Sequence, residues 1–168
     1  MPGWLLGFLL FVVACVVVSW GARRIAIVGA RVPLSAGTSP PGGETIGTLD
    51  DYFAKMTEFD HGDFTEYFVT ISETDGPKFV QVSAGTPPGG VFGYQFDMPI
   101  VDWSRPFAED IVAEAKRRGL DLDQSDSSGM EFLDIDFTDR SAHDDFARWV
   151  LTESFGLPEA GPFKINWG

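Results

Sequence analysis

Acidic side chains dominate the chemistry open to this chain of 168 residues, which holds 25 Asp and Glu, two His and one Cys. Two acidic groups stand out by their spacing. Asp121-Leu122-Asp123-Gln124-Ser125 starts as a calcium loop starts, with oxygen donors at alternate positions. An EF-hand needs Gly at its sixth position and Glu at its twelfth, where this chain has Asp126 and Phe132, so the segment reads as a solvated acidic turn. Asp134 and Asp136 lie two apart on an alternating run. Such a pair can hold a divalent cation or divide acid and base roles, but period-2 spacing also builds an ordinary water-facing strand surface. We take the second reading and assign no metal ligand.

Nucleophilic chemistry finds no support. His61 and His143 are far apart, neither belongs to an H-E-x-x-H motif, and no G-x-S-x-G elbow accompanies them. His143 falls in the first turn of a predicted helix and is expected at the surface. The string GTPPGG at 85–90 echoes a related string near residue 40, but neither ends in the Lys-Ser/Thr of a phosphate-binding loop, so both are turns. No catalytic or cofactor-binding residue is assigned, and no cofactor is expected. The enzymatic alternative is a divalent-metal-dependent reaction using Asp121, Asp123, Asp134 and Asp136.

The elements that would position these residues follow from periodicity. Thr48 precedes a helix whose apolar positions are Leu49, Tyr52, Phe53 and Met56, with Asp50 and Asp51 at its positive end. Three strands follow at 66–72, 78–84 and 91–97. In the first, Tyr67, Val69 and Ile71 face one way and Phe68, Thr70 and Ser72 the other. Short links make the three an antiparallel meander. Ser104 opens a second helix, which places Lys116, Arg117 and Arg118 in its last turn and stops at Gly119. A short strand at 120–123 and a polar loop at 124–129 lead to a strand at 130–137. There Leu133, Ile135 and Phe137 oppose Phe132, Asp134 and Asp136. Ser141 is expected to cap a third helix running through Phe155, and the tail after Pro162 to add an edge strand or pack as coil. The fold class is α+β, with an antiparallel sheet in the order helix, three strands, helix, two strands, helix.

The chain before this domain is different in kind. Residues 4–20, WLLGFLLFVVACVVVSW, carry no charge, and as a helix they would extend roughly 25 Å. Trp4 and Trp20 bracket the run at headgroup depth, and Arg23 and Arg24 follow it. We read one transmembrane helix in place of a cleaved signal peptide, because no basic region precedes the run. A lipoprotein reading at Cys15 is disfavoured by the apolar residues that continue beyond it. Arg23, Arg24 and Arg31 place the following domain on the cytoplasmic side. Residues 1–32 thus form an anchor with a basic flank, 33–47 a Pro/Gly-rich tether, and 48–168 the acidic domain. All 25 acids lie at or beyond Glu44, within a formal net charge of −13 and a pI near 4.3. That polarity argues against nucleic acid as a partner.

The Lys78-Phe79-Val80-Gln81-Val82 strand, the helix ending Lys116-Arg117-Arg118-Gly119-Leu120, and the closing Phe146-Ala147-Arg148-Trp149-Val150-Leu151…Phe155-Gly156-Leu157-Pro158 stand in this order between Leu49 and Trp167. This succession resembles the type III secretion chaperone and YbjN-like peptide-binding domains. The resemblance implies non-catalytic recognition of a polypeptide segment, often by a homodimer, and transfers no defined contact residue. On the residues themselves, the expected partner surface is the open sheet face bearing Phe68, Phe132, Asp134 and Asp136, and the partner is expected to be basic. An exported envelope scaffold, left after signal cleavage, is a further alternative.

Overall fold

In a computed structural model the described residues are 39–62, 64–86, 90–127 and 129–168. The expected membrane span, with Trp4, Trp20, Arg23 and Arg24, lies outside them. Among the described residues no helix is long and apolar enough to cross a membrane.

The strands are β1 (Gly43–Gly47), β2 (Glu66–Glu73), β3 (Phe79–Gly85), β4 (Gly93–Pro99), β5 (Asp121–Ser127), β6 (Met130–Phe137) and β7 (Phe163–Trp167). They form one antiparallel sheet in the order β1-β7-β2-β3-β4-β6-β5. The helices are α1 (Leu49–Asp60), α2 (Arg105–Arg117) and α3 (Arg140–Trp149), the last continuing into a π-helical turn, Val150–Ser154. The α+β class and the β2-β3-β4 meander agree with the sequence reading.

All three helices pack on one side of the sheet. Within each strand the main-core residues fall at alternate positions, and the register brings them to one side: Tyr67, Val69 and Ile71, then Val80, Val82 and Ala84, then Phe96, Leu133, Ile135 and Ile165. Against them lie Leu49, Tyr52, Met56 and Phe59 of α1, Ile111 and Ala115 of α2, and Phe146, Ala147, Val150 and Leu151 of α3 and its π turn. These spacings of three and four residues are the apolar stripe of an amphipathic helix.

Local signals explain where the helices start and stop. Thr48 and Asp51 form a capping box: the Asp51 carboxylate accepts from the Thr48 N–H at 2.7 Å, and the Asp51 N–H donates to Thr48 Oγ1 at 3.2 Å. That bonding holds the Asp51 carboxyl below its ordinary range. Gly119, with φ of 70°, ends α2 in a left-handed conformation that side-chain-bearing residues rarely adopt.

Five features differ from the sequence expectation. The segment 43–47, read as tether, is the edge strand β1, and the tail is the interior strand β7 between β1 and β2. Backbone pairing supplies the reason, since β7 leaves a free ladder that Gly43–Gly47 completes through its main chain. Gly43 is required there, because a Cβ would come within 2.4 Å of the Trp167 ring. Strand β5 extends through the residues read as a polar loop and pairs with β6 as far as Ser127↔Met130. Helix α3 is capped by Asp139, which accepts from the Ala142 N–H at 2.8 Å, and Ser141 lies inside the helix. Ser104 makes no cap bond. Its hydroxyl accepts from the Val101 N–H and donates to the Pro99 carbonyl, tying the end of β4 to the start of α2.

Candidate functional site

The side of the sheet away from the helices is built in rows, because directly paired residues of neighbouring strands project together. The middle row runs Asn166, Thr70, Gln81, Asp97, Asp134, Asp123 across β7-β2-β3-β4-β6-β5. One neighbouring row is Phe68, Ser83, Gln95, Asp136, Asp121. The other contains Lys164, Ser72, Phe79, Pro99, Phe132 and Ser125. No described helix packs on these rows.

The floor of this face is short, polar and internally bonded. Thr70 donates to Gln81 at 3.2 Å, Gln81 donates to Ser83 at 3.2 Å, and Ser83 donates to Asp97 at 2.9 Å. Gln95 donates to Asp136 at 3.2 Å. Thr70, Gln81, Ser83 and Asp97 are buried, as is Asp134. Two apolar borders flank the floor. On one side Phe68 is half-buried against Gly168, whose backbone exchanges hydrogen bonds with that of Phe68 at 2.8 and 3.3 Å. On the other, Phe79 and Phe132 form a satellite cluster with Trp103 and Met130.

Of the four sequence-predicted contact residues, then, all share the face but not one exposure. Asp136 is exposed and Phe68 half-buried, whereas Asp134 is buried and Phe132 retains only 2% of its surface. Phe132 is a packing residue, because Trp103 and Met130 close over it, and it is not available to a partner as expected. Asp97, Gln95, Gln81 and Ser83 belong to the face and were not singled out from sequence. Alternation puts Gln95 and Asp97 opposite Tyr94 and Phe96, but only the β4-β6 register sets Asp97 beside Asp134.

That register concentrates charge. Asp97, Asp134 and Asp123 are consecutive in one row, with Asp136 and Asp121 in the next. Like charges directly opposed across strands destabilise a sheet. Burial pushes the Asp97 carboxyl well above its ordinary value, and neighbouring Asp134 adds to the shift. A carboxyl raised in the fold contributes stability below its unfolded value of 3.8 that is lost as pH rises through the folded value. Asp97→Asn, which keeps an acceptor for Ser83, is therefore expected to raise the melting temperature by several degrees at pH 7. The advantage should disappear at pH 3.5, and thermal melts at the two pH values check it.

The four carboxylates considered for metal chemistry fall on two adjacent strands as the pairs Asp121↔Asp136 and Asp123↔Asp134. Among the described residues, no three or more His, Cys, Asp or Glu side chains are grouped so as to hold a metal ion. The segment 121–125 is a strand, so it does not wrap around a point as a calcium loop must.

His143 corrects another expectation. It is fully buried between the Tyr94 and Phe137 rings, with centroids at 6.0 and 5.4 Å, because it continues the Phe146, Ala147, Val150 stripe of α3. Its Nδ1 lies 3.0 Å from Asp144, and Nε2 has no partner among the described residues. Burial pulls the imidazole below 6.5, more than Asp144 raises it. A depressed folded value means stability present above 6.5 that is lost as pH falls toward the folded value. His143→Phe should flatten the pH dependence of stability between pH 7 and 5, as read from urea midpoints. An unchanged slope would count against burial as the cause.

The carboxylate of Asp144 also accepts from Arg140 Nε at 2.7 Å. Arg140 reaches Asp60 and, at 2.8 Å, the Phe53 carbonyl, and Tyr67 donates to Asp60. This network joins α1, β2 and α3 on the helix side and does not open onto the sheet face. Two clefts of about 270 and 330 Å³ also lie off that face, one beside the Glu73–Gly76 turn and one against α2.

No family model, no curated protein and no solved structure matches the chain. Its function must be argued from this face and from the sequence.

Proposed function

We propose that this chain is a membrane-anchored, non-catalytic domain that binds a cationic segment of polypeptide at the exposed acidic end of the sheet face that carries Asp121, Asp123 and Asp136. The observation that carries the reading is five aspartates gathered by register into two adjacent rows, of which Asp121, Asp123 and Asp136 are exposed, with Phe68 and Trp103 partly exposed on either side. A polypeptide bearing Arg or Lys among apolar residues complements both features, ion pairs setting position and apolar contact adding affinity. The resemblance to type III secretion chaperone and YbjN-like domains supports polypeptide as the class of ligand and implies a homodimer. The uncharged run 4–20, followed by Arg23 and Arg24, supports attachment to a bilayer with the domain on its cytoplasmic side.

The test uses the full chain in neutral detergent and two fluorescent decapeptides matched in apolar content, one carrying three arginines and the other three glutamates. The arginine peptide should bind at least tenfold more tightly. Asp134→Asn combined with Asp136→Asn should remove most of that preference, and 0.5 M salt should weaken it. Equal binding of both peptides, or of neither, would refute the reading.

A further inference from the structure

We propose that His143 is an acid-released latch. As a neutral ring it holds the first turn of α3 on β4 and β6, and on taking a second proton it lets that turn open while the rest of the domain stays folded.

The placement of burial along α3 carries the argument. Of residues 140–145 only His143 is buried, and it is buried completely. Ser141, Ala142 and Asp145 are exposed, and Arg140 and Asp144 are half-buried. From Phe146 onward the helix is held in the main core by Phe146, Ala147, Val150 and Leu151. The first turn is therefore fixed chiefly by one imidazole and by the bonds of Arg140 to Asp60 and the Phe53 carbonyl. It follows β6 after Thr138 and Asp139, so it can leave the sheet without disturbing the second half of the helix.

The surroundings of the ring suit its neutral form. A neutral imidazole that donates from Nδ1 to the Asp144 carboxylate, 3.0 Å away, keeps its lone pair on Nε2. Nε2 has no partner among the described residues and lies in a site walled by the Tyr94 and Phe137 rings. A second proton there would be a buried donor without an acceptor. The charged and titratable groups around the ring are Asp144 and Arg140 on α3, Asp60 on α1, Tyr94 on β4 and, through its bond to Asp60, Tyr67 on β2. Strand β6 presents the Phe137 ring. Both carboxylates already bond Arg140. His143 also stands near the positive end of the helix dipole, where a cation is disfavoured.

Burial thus outweighs the carboxylates and holds the imidazole below 6.5. In the opened turn the ring is hydrated and returns to its ordinary value. The closed turn therefore loses stability relative to the open one as pH falls from 6.5 toward the folded value. Opening bares Tyr94 and Phe137 on the helix side of the sheet, away from the aspartate rows, so the latch is independent of the polypeptide-binding reading.

The experiment is amide hydrogen exchange of the full chain in neutral detergent, followed from pH 7 to pH 5 in several urea concentrations below the unfolding transition. After correction for the intrinsic pH dependence of exchange, opening at 142–145 should rise roughly tenfold for each pH unit between 6.5 and the folded value. Urea should hardly change it, because a single turn exposes little surface, whereas exchange in β2 and β3 should climb steeply with urea. His143→Phe and His143→Gln should each abolish the pH response, and His61→Gln should retain it. Carbon-13 NMR of the wild-type imidazoles needs no substitution and should find His143 titrating below 6.5.

Exchange at 142–145 that is flat in pH, or that follows urea as steeply as β2 and β3, would overturn the latch. So would an unchanged pH response in both His143 variants, its loss in His61→Gln, or a His143 imidazole titrating at or above 6.5.

Discussion

A chain ending at Gly161 will show no cooperative unfolding transition. Strand β7 is the last element made and yet lies between β1 and β2, with Ile165 opposite both Thr45 and Ile71. Its removal leaves β1 without a partner, exposes the β2 ladder, and takes away the buried Phe163 and Ile165. Each of those side chains alone is worth about 2–5 kcal/mol on truncation to Ala. Losing both together with the ladder would consume most of the roughly 5–15 kcal/mol by which a domain of this size is stable. Circular dichroism through a urea titration, with the full chain beside it, is the measurement. A truncated chain that still unfolds sigmoidally, with an unchanged midpoint, would place the tail outside the sheet.

Arg140→Met is the second large effect, with an expected loss of about 2–3 kcal/mol. Arg140 bonds to Asp60, Asp144 and the Phe53 carbonyl at once, and its guanidinium lies 5.8 Å from the Tyr94 ring centroid. Removing it leaves the half-buried carboxylates of Asp60 and Asp144 without their shared cation. Deleting one partner of a fully buried pair costs roughly 3–5 kcal/mol. The side chains here keep 18–26% of their surface, so water replaces part of what is lost and the lower figure applies. The comparison to make is Lys55, whose pairing with Glu58 is exposed on the carboxylate side. Lys55→Met should move the urea midpoint far less, and equal losses for the two variants would show that burial is not what gives Arg140 its weight.

Much of the domain is legible along the chain because the deciding forces are local. Thr48 and Asp51 mark the start of α1 through a capping box that spans four residues, and Gly119 marks the end of α2 by its backbone conformation. Alternation in 66–72 and 130–137 places Val69 and Ile135 on the helix side of the sheet and Thr70 and Asp136 on the other, since successive side chains of a strand point to opposite faces. The acidic pair Asp134 and Asp136 was visible for the same reason.

What only the tertiary structure decided is non-local. No feature of Gly43–Gly47 marks it as a strand, because its partner β7 lies more than a hundred residues away and backbone pairing leaves no side-chain signature. His143 becomes a core residue through the rings of Tyr94 and Phe137, which come from two other elements. The aspartate rows exist only once β4, β6 and β5 settle in register: Asp97, Asp123 and Asp134 are ordinary strand positions separately and a concentrated row of carboxyls together. Periodicity records which way a side chain points, whereas strand order and register determine what it points beside, and those are set by packing the whole sheet against its helices.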